Sequence, residues 1–168
     1  METRSPRIGT VISGTHRSED LLRAFLEEFM ELVHGTKLSK DDQQLIKDAK
    51  TVSAPIIPDD NTFGAVEIDD IVAELSDRLN DLAPPFCYFG TAPGDGADFG
   101  FWVDQELIMM TIRDHEMCCE QCNGMRSHWS GPPEAESYQK VFVNDHGNIT
   151  LYERDHLTAD WREIWALV

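Results

Sequence analysis

The chain has 168 residues and a net charge of −17, from 14 lysines and arginines against 31 aspartates and glutamates. A hydrophobic fraction of 41% is ordinary for a globular chain that can bury a core without cross-links. The negative charge argues against direct binding of nucleic acid or of anionic membranes, because both require a basic surface. It favours basic protein surfaces and divalent cations as partners.

The sequence predicts a cytoplasmic protein with reduced thiols. It contains no apolar run of about 18 residues, as a membrane span would need, and the segment 1–6 lacks the apolar core of a secretion signal. Without a sign of secretion, the four cysteines are interpreted as thiols or metal ligands rather than disulfides.

The beginning of the chain predicts a strand followed by a strong helix. Residues 7–13 have the β-branched composition of a short strand. Apolar residues then recur at helical spacing over 21–33. Ser18 is the predicted N-cap of this helix, and Gly35 is its predicted C-terminal stop.

Two further helices are predicted before the midpoint of the chain. The first is weaker and runs from 39 to about 50, where Ser39 and Asp42 have the spacing of a capping box. The second spans about 67–82 and ends before a Pro-Pro pair.

The second half of the chain predicts an antiparallel meander. Aromatic strands at 86–89 and 99–103 flank a long glycine-rich loop at 90–96, whereas 104–113 fits a helix or a strand. A hairpin over 140–153 and a strand over 161–168 close the chain.

The resulting fold class is α+β, with an antiparallel sheet of about five or six strands and two or three helices on one face. We expect a single domain over 1–168, with a helical half at about 15–82 and a β-meander half at about 86–168. An irregular Cys/His insertion lies at about 114–137. Aromatic residues on the far face of the sheet require a cover, which a helix layer or a homodimer interface would supply.

Three long strings resemble an uncharacterised family of small proteins from bacteria and tailed bacteriophages. They are PPFCYFGTAPGDGADFGFW, VFVNDHGNITLYER with the following EIWALV, and the N-terminal GTVISGTHRSEDLLRAFLEEF. That family has no assigned activity, catalytic residue or ligand. The resemblance therefore implies a phage or mobile-element context, and it does not cover residues 114–137.

The Cys/His insertion contains one candidate zinc site. His115, Cys119, Cys122 and His128 offer four N and S ligands, as a tetrahedral zinc ion requires. A single Cys-x-x-Cys is a weak signal, so incidental reduced thiols in a surface loop and a redox role are the alternatives. No other cofactor is predicted.

Two loops carry candidate catalytic groups. Asp95 and Asp98 lie in a glycine-rich loop that could hold a divalent cation, and Asp145 lies next to His146 in a second loop. Both segments also have the composition of ordinary turns. Convergence of these four side chains would indicate a small metal-dependent hydrolase, whereas scattered positions would argue against an enzyme.

The predicted third helix carries a row of carboxylates that we call the acidic ladder. Its spacings of three and four residues place the row in a stripe roughly 80° wide, with steps of about 5–6 Å. That step approaches the spacing of backbone phosphates, and like charges at these spacings repel unless a partner neutralises them. Lys37, Lys40, Lys47 and Lys50 are candidate counter-ions within the chain. The ladder consists of Glu67, Asp70, Glu74, Asp77 and Asp81.

The sequence thus predicts a non-enzymatic acidic protein-binding module. Its ladder would occupy the basic groove of a host nucleic-acid-binding or defence protein by imitating a nucleic acid. The alternatives are the metal-dependent hydrolase and a zinc-stapled structural accessory protein.

Overall fold

The computed structural model describes residues 6–53, 65–113, 138–143, 148–155 and 159–167. The chain divides into two compact units, Met1–Trp102 and Val103–Val168. The elements in chain order are β1 (Gly9–Ser13), α1 (Ser18–Leu32), α2 (Lys40–Ser53), α3 (Ala65–Asp81), β2 (Cys87–Ala92), β3 (Asp95–Val103), α4 (Gln105–Arg113), β4 (Tyr138–Val143), β5 (Ile149–Arg154) and β6 (Arg162–Leu167). Within the described ranges, no helix is both long and apolar enough to cross a bilayer.

The α+β class is confirmed, but the expectation of one sheet is wrong. In the part of the chain that the structure describes, the strands form two three-stranded sheets, with the orders β1-β3-β2 and β4-β5-β6. The sequence left residues 104–113 undecided between helix and strand; Gln105–Arg113 form α4, the element that follows β3 in the chain. The Asp104 carboxylate accepts a hydrogen bond from Leu107 N at 2.9 Å and so caps this helix.

Helix α1 begins one residue earlier than predicted. Its N-cap is Arg17, which makes no side-chain cap bond, whereas Ser18 is the first helical residue and donates its hydroxyl to Asp69 of α3. At the other end the helix stops at Leu32, and Gly35 has a φ of +80°. The glycine therefore supplies the left-handed conformation that allows the chain to leave the helix.

The capping box of α2 is present as predicted. Asp42 N donates to Ser39 Oγ at 3.0 Å, and Ser39 N donates to Asp42 Oδ2 at 3.3 Å. Each side chain accepts a hydrogen bond from the backbone N–H of the other residue. These two bonds fix the start of α2, although few of its residues are buried.

The core of the first unit lies between the helices and one face of the first sheet. Phe25 of α1 contacts Phe89 and Phe99 at ring-centroid distances of 4.9 and 5.7 Å, and Phe89 contacts Phe101 at 5.0 Å. These edge-to-face contacts join α1 to both β2 and β3. The aromatic strands are therefore core elements.

The predicted long loop between β2 and β3 is wrong. The strands continue through most of it and leave a two-residue turn at Pro93–Gly94, with Gly94 at a φ of +90°. Strand pairing satisfies backbone groups that a loop would leave to water, so the ladder extends as far as the turn allows. Asp95 and Asp98 consequently lie on a strand.

The second sheet has a regular register between its first two strands. Tyr138 lies opposite Arg154, Lys140 opposite Tyr152, and Val141 opposite Leu151. The antiparallel hairpin of β4 and β5 agrees with the sequence prediction. Strand β6 pairs with β5 and has a register shift beside Leu151.

Candidate functional site

The acidic ladder lies on the solvent side of α3. All five of its carboxylate residues are exposed. The opposite side of the helix carries Leu75 and Leu79, both with 0% exposure, in the core. The helical period therefore separates the charged row from the apolar row as the sequence predicted, and the carboxylates run along roughly 21 Å of helix.

Only one ladder residue has an ion pair in the part of the chain that the structure describes. Arg78 Nη2 lies 3.5 Å from Glu74 Oε1, and Arg78 Nε lies 3.3 Å from Asp42 Oδ1 on α2. The four candidate lysines of segment 37–50 make no ion pair with the ladder among these residues. The other four ladder carboxylates thus have no counter-ion among the described residues, and nothing in that part of the chain offsets their mutual repulsion.

A groove of about 250 Å³ lies between α2 and α3 beside the ladder. Its lining combines three carboxylates with two apolar side chains. An aliphatic stem with a cationic head would find both environments there, since lysine and arginine side chains bury the stem and leave the head polar. The lining residues are Asp48, Thr51, Val52, Glu67, Asp70 and Ile71.

The first candidate catalytic loop does not assemble a cation site from its two carboxylates. Asp95 Oδ1 accepts a hydrogen bond from Ala97 N at 3.0 Å, and Asp98 Oδ2 accepts one from Thr10 Oγ1 at 3.1 Å. Three positions apart on β3, the two side chains point to opposite faces of the strand. Each carboxylate thus has its own local role.

The other predicted catalytic and metal residues lie outside the described residues. These are Asp145 and His146 of the second loop, and His115, Cys119, Cys122 and His128 of the candidate zinc site. Within the described ranges, no group of three His, Cys, Asp or Glu residues is arranged to hold a metal ion.

The Cys87 thiol is protected from ionisation. Burial raises its pKa to about 12, because desolvation disfavours the thiolate. At neutral pH this residue is therefore neither a nucleophile nor a metal ligand, since both roles require the thiolate.

A second polar cluster, which the sequence analysis missed, lies on the second sheet. Arg154 Cζ lies 4.3 Å from the ring centroid of Trp161, and Lys140 Nζ lies 4.6 Å from the same centroid. Arg154 also lies over Tyr138 at 5.5 Å, and Lys140 over Tyr152 at 5.2 Å. We call these five residues the cation–aromatic ladder. Alternation along β4 and β5 could have suggested it, but only the strand register shows which residues face each other.

Comparison with protein-family models, with curated proteins and with solved structures finds no match to this chain.

Proposed function

We propose that the chain is an acidic protein-binding module whose acidic ladder occupies the basic, nucleic-acid-binding groove of a partner protein. The observation that carries this proposal is the row of five exposed carboxylates, of which only Glu74 is ion-paired among the described residues. A row that repels itself costs stability, and a basic partner would offset that cost on binding.

The charge of the whole chain supports the same function. A net charge of −17 creates a field that attracts a basic surface and accelerates the encounter. The phage or mobile-element context implied by the three resembling strings fits an inhibitor of a host nucleic-acid-binding or defence protein. A nucleic-acid mimic should therefore be displaced from its partner by the nucleic acid itself.

The decisive experiment reverses the charge of the ladder without touching its ion pair. Asp70, Asp77 and Asp81 are exposed, and the triple variant with lysine at all three positions keeps the Glu74–Arg78 pair intact. Partners are captured from host lysate with the wild-type chain, identified, and measured in purified form by surface plasmon resonance. We expect the reversal to weaken binding by at least roughly 100-fold, mainly through slower association.

The matched control changes the net charge equally but at residues that are not part of the ladder. Glu27, Asp41 and Glu106 are exposed residues on three other helices, and each is replaced by lysine in a second triple variant. Its binding should fall much less at physiological ionic strength, where the Debye length is about 8 Å. Equal losses in the two variants would show that net charge alone matters and would reject the ladder as the binding surface.

Occupation of the partner's nucleic-acid-binding groove predicts competition with nucleic acid, which is a separate test. Duplex DNA or structured RNA, whichever the identified partner binds, should compete with this chain for the partner. Simultaneous binding of both would contradict nucleic-acid mimicry while leaving the acidic docking surface in place.

A further inference from the structure

The cation–aromatic ladder places two cations side by side on one face of the second sheet. Tyr138 and Lys140 alternate along β4, Tyr152 and Arg154 alternate along β5, and the register pairs them crosswise. Residues directly opposite in an antiparallel pair project from the same face. The ring of Trp161, just before β6, has its centroid within 4.6 Å of both charged centres.

These two cations have no carboxylate partner within ion-pair distance among the described residues. Arg162 of the same sheet shows the usual alternative, because its Nη2 lies 3.1 Å from Glu153 Oε2. Glu163, the register partner of Tyr152, is exposed and makes no ion pair with Lys140 or Arg154 in the described structure. The chain has more than twice as many acidic as basic residues, yet these two cations are held on aromatic rings with no counter-ion among the described residues.

The cations also have hydrogen-bond donors to spare. Arg154 Nε is buried and finds no acceptor in the described part of the chain. A buried donor without an acceptor costs about 1–3 kcal/mol, and an anion that accepted from this guanidinium would recover part of that cost. Both side chains are only half-buried, which leaves room for a ligand to approach.

The rings restrict the class of ligand. Cations already lie over the rings of Tyr138, Tyr152 and Trp161, so these faces are poor platforms for stacking nucleobases. Because both charged centres lie within 4.6 Å of one centroid, they are at most about 9 Å apart, a span that one tetrahedral or planar oxyanion can bridge with two hydrogen bonds.

We propose that the cation–aromatic ladder is a binding site for one oxyanion group, a carboxylate or a phosphate, held between Lys140 and Arg154. This site is independent of the acidic ladder and takes a ligand of opposite charge. The chain therefore has two proposed binding surfaces, the acidic ladder for a basic protein and the cation–aromatic ladder for an anion.

Titration of the full chain with inorganic phosphate and, separately, with acetate and a short glutamate peptide tests the site. Ionic strength is held constant with chloride, and ¹⁵N NMR follows the Arg154 Nε–H and Trp161 Nε1–H signals. We expect a saturable shift of both signals with at least one of these oxyanions, at a dissociation constant on the order of 1 mM. The better ligand distinguishes a phosphate source from a carboxylate source. Absence of a saturable shift with all three would overturn the proposal.

Two variants and one control separate binding from folding. Arg154→Lys keeps the charge but loses the planar fork, and Lys140→Gln removes the second cation; each should weaken binding roughly tenfold. Arg162→Gln removes a paired cation and should leave the affinity unchanged. Equal weakening of anion binding by all three variants would overturn the site. So would a single-stranded oligonucleotide that shifts the same NMR signals with higher affinity than the small anions. If Lys140→Gln unfolds the chain, the Arg154→Lys comparison still decides.

Discussion

Arg78 of α3 holds the same carboxylate that caps α2. Arg78 Nε lies 3.3 Å from Asp42 Oδ1, while Asp42 Oδ2 accepts the backbone N–H of Ser39 at 3.3 Å. One side chain thus joins the start of α2 to the helix that carries the acidic ladder. The position of the ladder against α2 depends in part on this charged contact.

Replacing Arg78 by glutamine should lower the free energy of unfolding by about 1 kcal/mol, because its ion pairs with Asp42 and Glu74 are both lost and Asp42 keeps only its hydrogen bonds from Ser39. Urea unfolding followed by circular dichroism measures the change. Arg17→Gln is the control, since its pair with Glu19 spans 4.0 Å with side chains 76% and 60% exposed. Equal effects of the two substitutions would contradict a structural role for the Arg78–Asp42 pair.

Gly100→Ala should destabilise the first unit by about 2 kcal/mol or more. A Cβ at Gly100 would lie 2.1 Å from Gly9 O, so β1 would have to move away from β3. Gly96→Ala on the same strand meets nothing within 4 Å and should change stability by less than about 0.5 kcal/mol. Thermal unfolding of both variants checks this contrast. Equal melting temperatures would contradict the prediction.

Phe86 occupies a conformation that side chains avoid. Its φ is +60°, at the turn where Cys87 N donates to Pro84 O at 3.0 Å. Phe86→Val should be less stable than Phe86→Gly by roughly 1–2 kcal/mol, although valine retains more apolar surface, because a β-branched residue is the more strained at positive φ. Denaturant unfolding compares the two variants, and a more stable valine variant would reject the strain.

The Cys87 thiol should make stability fall with rising pH. Its folded pKa of about 12 exceeds the ordinary thiol value of 9.0, so between these pH values the native state keeps a proton that the unfolded state releases. The contribution is complete below about pH 9 and is lost as pH rises toward 12. Urea midpoints at pH 8, 9 and 10 should therefore fall more steeply for wild type than for Cys87→Ala. Parallel slopes would show that the thiol does not contribute.

The protein should be least soluble near pH 4.5, its calculated isoelectric point. Neutralising the carboxylates removes the repulsion that keeps copies apart. Light scattering across pH 3.5–8 tests this, and maximal solubility near pH 4.5 would contradict the assigned surface charge.

The sequence by itself determined α1, α2, α3 and the exposure of the acidic ladder, because helical periodicity and capping are local. Ser39 and Asp42 are three residues apart, so their cap bonds follow from spacing alone. The same period that buries Leu75 turns Asp77 to solvent.

Only the tertiary structure decided how the strands are divided and which charged side chains meet. The sequence could not distinguish one sheet from two, because strand composition does not identify the pairing partner. Arg78 was not expected to contact Asp42, 36 positions earlier, and Trp161 was not expected to contact both Lys140 and Arg154. These contacts depend on strand register and helix packing, which bring together residues that no short-range pattern connects.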